Sequence, residues 1–257
     1  MRGYHWRKTG FWTAALLFIV SVPAFLVTVS VTWAFNDPGL YHRGFEKYDV
    51  SLHTGITGAD LRQAGADIRH YFNSGEEPLV VRARVFGEER EIFNQREVAH
   101  MKDVKGLVRG VYLLAGLSSL YILGVAVGGL AWLGRGFGDT LARLLLWGGL
   151  LTLAFLLVVG LFAVTGFDTL FLLFHQLSFS NDLWQLNPQR DYLIIMFPLG
   201  FWFDATMRVA AMTLGGAVVL SGGSGAYLVY RRWMAGSNQQ HQALALEETP
   251  PGRGTED

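Results

Sequence analysis

The chain has 257 residues, 21 basic and 21 acidic, no cysteine, and 51% apolar residues against only 16% charged. Net neutrality leaves no electrostatic footprint for nucleic acid. The absence of cysteine excludes disulfides, thiolate nucleophiles, iron–sulfur clusters and cysteine-type zinc sites.

The charges are unevenly spread. Residues 9–36, 110–134, 144–167 and 209–230 contain no Asp, Glu, Lys or Arg. Each run exceeds the roughly 20 apolar residues that cross a hydrocarbon core about 30 Å thick. The resulting expectation is an all-α polytopic membrane protein with four transmembrane helices and a small mixed α/β extracytoplasmic domain between helices 1 and 2.

The first run follows Arg2, Arg7 and Lys8, yet it is far longer than the apolar part of a signal peptide, and Thr32-Trp33-Ala34 is a poor cleavage site. It reads as an uncleaved anchor. Basic residues also flank the second connection (Arg135, Arg143) and follow the fourth run (Arg231, Arg232). By the positive-inside rule these segments are cytoplasmic. Residues 37–109 and 168–208 then lie outside, and 231–257 form a polar, Pro- and Gly-punctuated tail expected to be disordered.

Within residues 37–109, Leu61, Ala64, Ile68 and Phe72 recur at helical spacing behind Thr57-x-x-Asp60. Val81, Ala83 and Val85 alternate with Arg82 and Arg84 as in a half-buried strand, and Gly87 to Arg90 is expected to turn it into a second strand reaching Ile92. A new helix is expected from Asn94, capped with Glu97 three residues later and unbroken into the second span. That puts His100 about 15 Å outside the span's first residue, near the outer interface.

Residues 168–190 are too polar to span, and the apolar run 192–203 is too short. Together they suggest an interfacial or re-entrant element, with Trp184, Tyr192, Phe201 and Trp202 as its aromatic belt. Gly124-x-x-x-Gly128 and the glycines at 215, 216, 222, 223 and 225 read as close-packing positions between helices.

Seven histidines are present. His5 and His241 fall in the tails, and His42, His53 and His70 have no metal-type spacing. His175 sits in the apolar stretch Phe171-Leu172-Leu173-Phe174, where an ionisable ring is a functional candidate, although a histidine that merely anchors an interfacial helix fits too. His100 has Asp103 at i+3, placed to orient or charge-stabilise the ring, or simply to share a surface salt-bridge face with it. Topology brings both histidines to one leaflet, where imidazoles suit acyl transfer as general acid or base. No Gly-x-Ser-x-Gly, His-Glu-x-x-His or Walker motif is present, though Ser178 and Ser180 lie close to His175.

His100-Met101-x-Asp103-Val104-Lys105 and Phe174-His175-x-x-Ser178-Phe179-x-Asn181-Asp182-x-Trp184-x-Leu186-x-Pro188 closely resemble the bacterial lipoprotein intramolecular transacylase (Lit) family, as do Asp191-Tyr192-Leu193-Ile194 and Phe197-Pro198. The resemblance implies a cell-membrane enzyme with cytoplasmic termini. It moves the sn-2 acyl chain of a diacylglyceryl-modified lipoprotein to the α-amino group of that lipoprotein's own cysteine, at the outer leaflet and without a cofactor or metal. On this reading His175 is the principal acid/base, His100 orients it or completes proton transfer, and Asn181 donates to the oxyanion or positions the headgroup. Trp184 lines the lipid pocket, Asp103 supports His100, and membrane lipid is the surrounding partner. Two alternatives stay open: a metal-dependent hydrolase using His100 and His175 with Asp103 or Asp182, and a non-catalytic accessory or sensor protein. Two imidazoles more than about 10 Å apart would dissolve the shared site.

Overall fold

The computed structural model describes residues 2–247 and is mostly helical. In chain order its elements are α1 (Arg2–Asn36), α2 (Pro38–Lys47), α3 (Val50–Thr54), α4 (Gly58–Asn73), β1 (Arg82–Val85), β2 (Glu88–Glu91), α5 (Gln95–Leu133), α6 (Phe137–Thr165), α7 (Phe167–Ser178), α8 (Tyr192–Met196) and α9 (Leu199–Glu247). A single 3₁₀ turn, Gly134–Gly136, links α5 to α6.

Four helices, α1, α5, α6 and α9, are long and apolar enough to cross a membrane, and the molecule is a multi-pass membrane protein. Helix α1 touches the other three. Glycines permit the closest approaches: a Cβ on Gly148 would lie 2.6 Å from Val22, and one on Gly149 would lie 3.1 Å from the main-chain oxygen of Ala217. Gly216 likewise meets Leu26. The expected Gly124-x-x-x-Gly128 contact does not form. Both glycines face open space and border an apolar hollow of about 390 Å³ beside Phe11, Ala14 and Trp132.

The helices outgrow the charge-free runs. At 39 residues α5 is about 58 Å long, nearly twice the hydrocarbon thickness, so its charged first third projects from the bundle. Helix α6 stops at Thr165 because Gly166 leaves helical geometry. Helix α9 continues to Glu247, where disorder was expected from residue 231. No proline interrupts it before Pro250, and Gln239 to Glu247 are mostly good helix formers. Residues 248–257 of the expected tail lie outside the described residues.

The projecting end of α5 is built into the domain formed by residues 37–94. Thr57 caps α4 through the N–H of Asp60. Asn94 and Glu97 close the expected capping box on α5. The hairpin pairs Arg82 with Glu91 and Val85 with Glu88. It turns earlier than expected, at Phe86–Gly87, where both residues have positive φ and Glu88 is already in the strand. Helices α2 and α3 carry no long apolar period, so pattern alone passed over them. Asp37 nevertheless caps α2 through the N–H of Gly39, with Pro38 at its first position.

The domain core joins Tyr41, Phe45, Ile68 and Phe72 to Met101 and Val108 of α5, and also to Leu193, Met196, Phe197 and Phe201. The two non-spanning segments thus share one core. The apolar run 192–203 divides at Phe197-Pro198 into α8 and the first turn of α9, because proline starts a helix more readily than it continues one.

Candidate active site

His100 lies on the projecting part of α5, and His175 lies in the last turn of α7. Gly166 leaves helical geometry between α6 and α7, and Phe167 and Phe171 of α7 pack against Phe203 and Trp202 at the start of α9. On α7 the usual pattern of a soluble helix is inverted. Leu172, Leu173, Phe174 and Leu177 are exposed while His175 is buried, as expected of a helix whose outer face meets lipid.

The imidazole rings of His100 and His175 have centroids 6.1 Å apart and are tilted by 32°, well inside the limit for one shared site. Phe179 stands edge-on to His100 at 5.1 Å and also contacts His175. Phe171, Phe174 and Trp184 surround His175 at centroid distances of 4.3, 5.2 and 5.2 Å. Relative exposures are 6% for His100 and 9% for His175.

Nδ1 of His175 lies 2.8 Å from the main-chain oxygen of Phe171. A carbonyl can only accept, so Nδ1 carries the proton and Nε2 holds the basic lone pair. Burial pushes the His175 pKa below its ordinary value, partly offset by this bond. The ring is therefore neutral near pH 7. Nδ1 of His100, by contrast, is enclosed and has no hydrogen-bond partner.

Asp103 does not hydrogen-bond to His100. Its Oδ2 accepts Nδ2 of Asn181 at 2.9 Å, while Asn181 Oδ1 accepts the N–H of Leu183 at 3.0 Å in a local turn. Asp103 and Asn181 therefore hold the strap of residues 180–184 across the histidine pair. Trp184 closes that strap against His175.

Three residues not singled out for this site frame it. Arg96 donates through Nη2 to the main-chain oxygen of Asp182. Glu97, buried, accepts the N–H groups of Asn94 and Leu193. Asp191, buried, accepts from Asn94 Nδ2 and from the N–H of Asn187. The readable signal was spacing: Arg96, His100 and Asp103 recur at i, i+4 and i+7, one face of a helix. Lys105 of the same motif serves the domain instead, donating to the Glu76 main-chain oxygen and lying 3.4 Å from Glu77. His53 and His70 are exposed and His42 half-buried, all outside the pair's surroundings, and the side chains of His5 and His241 lie outside the described residues.

Such a fold and site define a polytopic membrane protein with a pair of close-set imidazoles at the domain-bearing end of its bundle. A family model described as lipoprotein intramolecular transacylase Lit matches residues 16–202, and the chain belongs to that family. An in meso structure of the membrane integral Lit from Bacillus cereus aligns with a TM-score of 0.72 at 21% identity, covering 86% of this chain and 97% of that one. A variant of the same protein with a histidine replaced by alanine aligns at 0.71 and 19% identity, covering 90% and 99%. An uncharacterized protein of Aquifex aeolicus is 33% identical over 132 residues, 51% of this chain, and the match spans 56% of that relative's length.

Proposed function

We propose that this protein is a lipoprotein intramolecular transacylase that moves the sn-2 acyl chain of a diacylglyceryl-cysteine onto that cysteine's own α-amino group, giving a lyso-form lipoprotein. The observation that carries the reading is the meeting of His100 and His175, 75 positions apart in sequence, at a ring separation of 6.1 Å beside an exposed apolar helix face. Family membership supports the same substrate class.

In this mechanism Nε2 of His175 takes the proton that the substrate's neutral amine loses as its nitrogen bonds to the carbonyl carbon. The amine attacks the ester carbonyl, and the resulting imidazolium protonates the glycerol oxygen as it leaves. His100, neighbouring ring to ring, relays or orients that proton. Donor and acceptor belong to one molecule, so the site contributes mainly by holding them in an attack pose. The aromatic ring of Phe171, Phe174, Phe179 and Trp184 excludes water and lines the acyl chain. The domain end faces outward, because the basic clusters at residues 2–8, 135–143 and 231–232 all belong to the opposite end, where Arg231 pairs with Asp139 at 3.3 Å.

A metal hydrolase is less favoured by the donor set. Asp103 is engaged by Asn181 and Asp182 by Gln185, and no group of three such ligands gathers among the described residues. The test is expression with a diacylglyceryl lipoprotein and mass spectrometry of its N-terminal peptide. Wild type shifts the acyl chain to nitrogen, whereas His175→Ala and His100→Ala lower the rate by about 10²–10⁴. A substrate left wholly in diacylglyceryl form by the wild-type protein overturns the reading.

A further inference from the structure

We propose that Arg96 is the third catalytic member of this site, the donor that receives the negative charge developing on the ester carbonyl oxygen; the assignment rests on the transacylase reading above. Arg96 lies one helical turn before His100, so both side chains leave the same face of α5. Its guanidinium is half-buried, and its Nε–H is enclosed with no hydrogen-bond partner. Among the described residues no carboxylate pairs with it. The adjacent acids are turned elsewhere: Glu97 to Asn94 and Leu193, and the Asp182 carboxylate to Gln185.

His100 Nδ1 is enclosed and unpartnered as well, so two of the three such side-chain atoms among the described residues fall on adjacent turns of one helix face. An enclosed polar group without a partner costs about 1–3 kcal/mol. Folds retain that cost where a ligand completes the site. What Arg96 now holds is a neutral sp² oxygen, the Asp182 carbonyl. An ester carbonyl is the same kind of acceptor. The histidines are too enclosed for an ester to reach them, so the 180–184 strap must be displaced on substrate entry. The substrate carbonyl then takes the place of the Asp182 oxygen. Asn181, assigned this task from sequence, already commits an N–H to Asp103.

As the amine's lone pair forms the N–C bond, the carbonyl π pair moves onto oxygen and is received by Arg96, while the N–H proton passes to His175. The oxygen pair then re-forms the carbonyl. The C–O bond to glycerol breaks, and the imidazolium proton goes to that oxygen. Charge reaches the carbonyl oxygen only beyond the ground state, so Arg96 acts on turnover more than on binding.

The test uses the full chain in phospholipid vesicles with a diacylglyceryl lipoprotein, comparing wild type with Arg96→Ala, Arg96→Gln and Arg96→Lys. The alanine and glutamine variants are expected to lose about 10²–10³ in kcat with KM nearly unchanged, and lysine to recover part of it. Arg96→Gln keeps length and polarity, and its thermal midpoint reports folding. A kcat within about threefold of wild type, or a loss confined to KM, overturns the assignment. A wild-type protein that makes no lyso-form product overturns the transacylase reading and this assignment with it, whereas an active wild type with unaffected Arg96 variants overturns this assignment alone.

Discussion

Glu97 Oε1 accepts the main-chain N–H of Leu193 at 2.6 Å. Its other oxygen takes the N–H of Asn94 at 2.7 Å, so one buried carboxylate both caps α5 and pins α8 against it. The segment carrying the strap is thereby anchored beside His100.

Replacing Glu97 by alanine leaves the buried N–H of Leu193 unpaired and removes half of the α5 capping box at Asn94, with an expected loss of about 2–4 kcal/mol of stability. Thermal unfolding in detergent checks it against Lys102→Ala, an exposed position on the same helix. Equal midpoints for the two variants would contradict the anchoring role.

The pH dependence follows from His175. Burial lowers its pKa from the ordinary 6.5, so the ring stays an unprotonated base at that pH and is lost to protonation only on further acidification. The transacylation rate is expected to rise with pH up to about 8, where the substrate's own α-amine loses its proton, and the further limb due to His175 is expected below pH 6.5, as measured by single-turnover product formation. A second protonation limb at or above 6.5 that persists after the rate is divided by the fraction of free amine would rule out His175 as the titrating base. The linked stability has the same sign: the unfolded chain binds this proton more readily, so acidification through 6.5 favours unfolding.

The glycines of the bundle divide into two kinds. A Cβ on Gly149 would meet main-chain atoms of Ala217 and Ser221 at 3.1 Å, whereas one on Gly124 meets nothing within 4 Å. Gly149→Val is therefore expected to cost about 1–3 kcal/mol through overpacking. Gly124→Ala should be neutral or slightly stabilising. Resistance to thermal aggregation in detergent distinguishes them, and similar behaviour of both would remove the contrast.

Much of the local structure was readable because it is encoded locally. The Thr57 and Asn94 caps, the alternation of Val81, Ala83 and Val85, and the continuity of α5 each depend on residues within a few positions of one another. Helices α2 and α3 were not read because they are short and held by contacts with α4 and α8. Asp103 shows the same boundary within the site. Spacing placed it near His100 on α5, but its partner Asn181 comes from 78 residues away and no local pattern records that bond.

The opening charge count thus located the four helices long and apolar enough to cross a membrane, since such a run is a property of consecutive residues. The two motifs identified both histidines. Tertiary structure alone decided that their rings meet, that Asp103 also binds the strap through Asn181, and that Arg96 pairs with no carboxylate among the described residues. Those facts depend on how α7 packs after the break at Gly166 and where the shared core seats α8. They arise from packing between segments far apart in sequence, which periodicity cannot express.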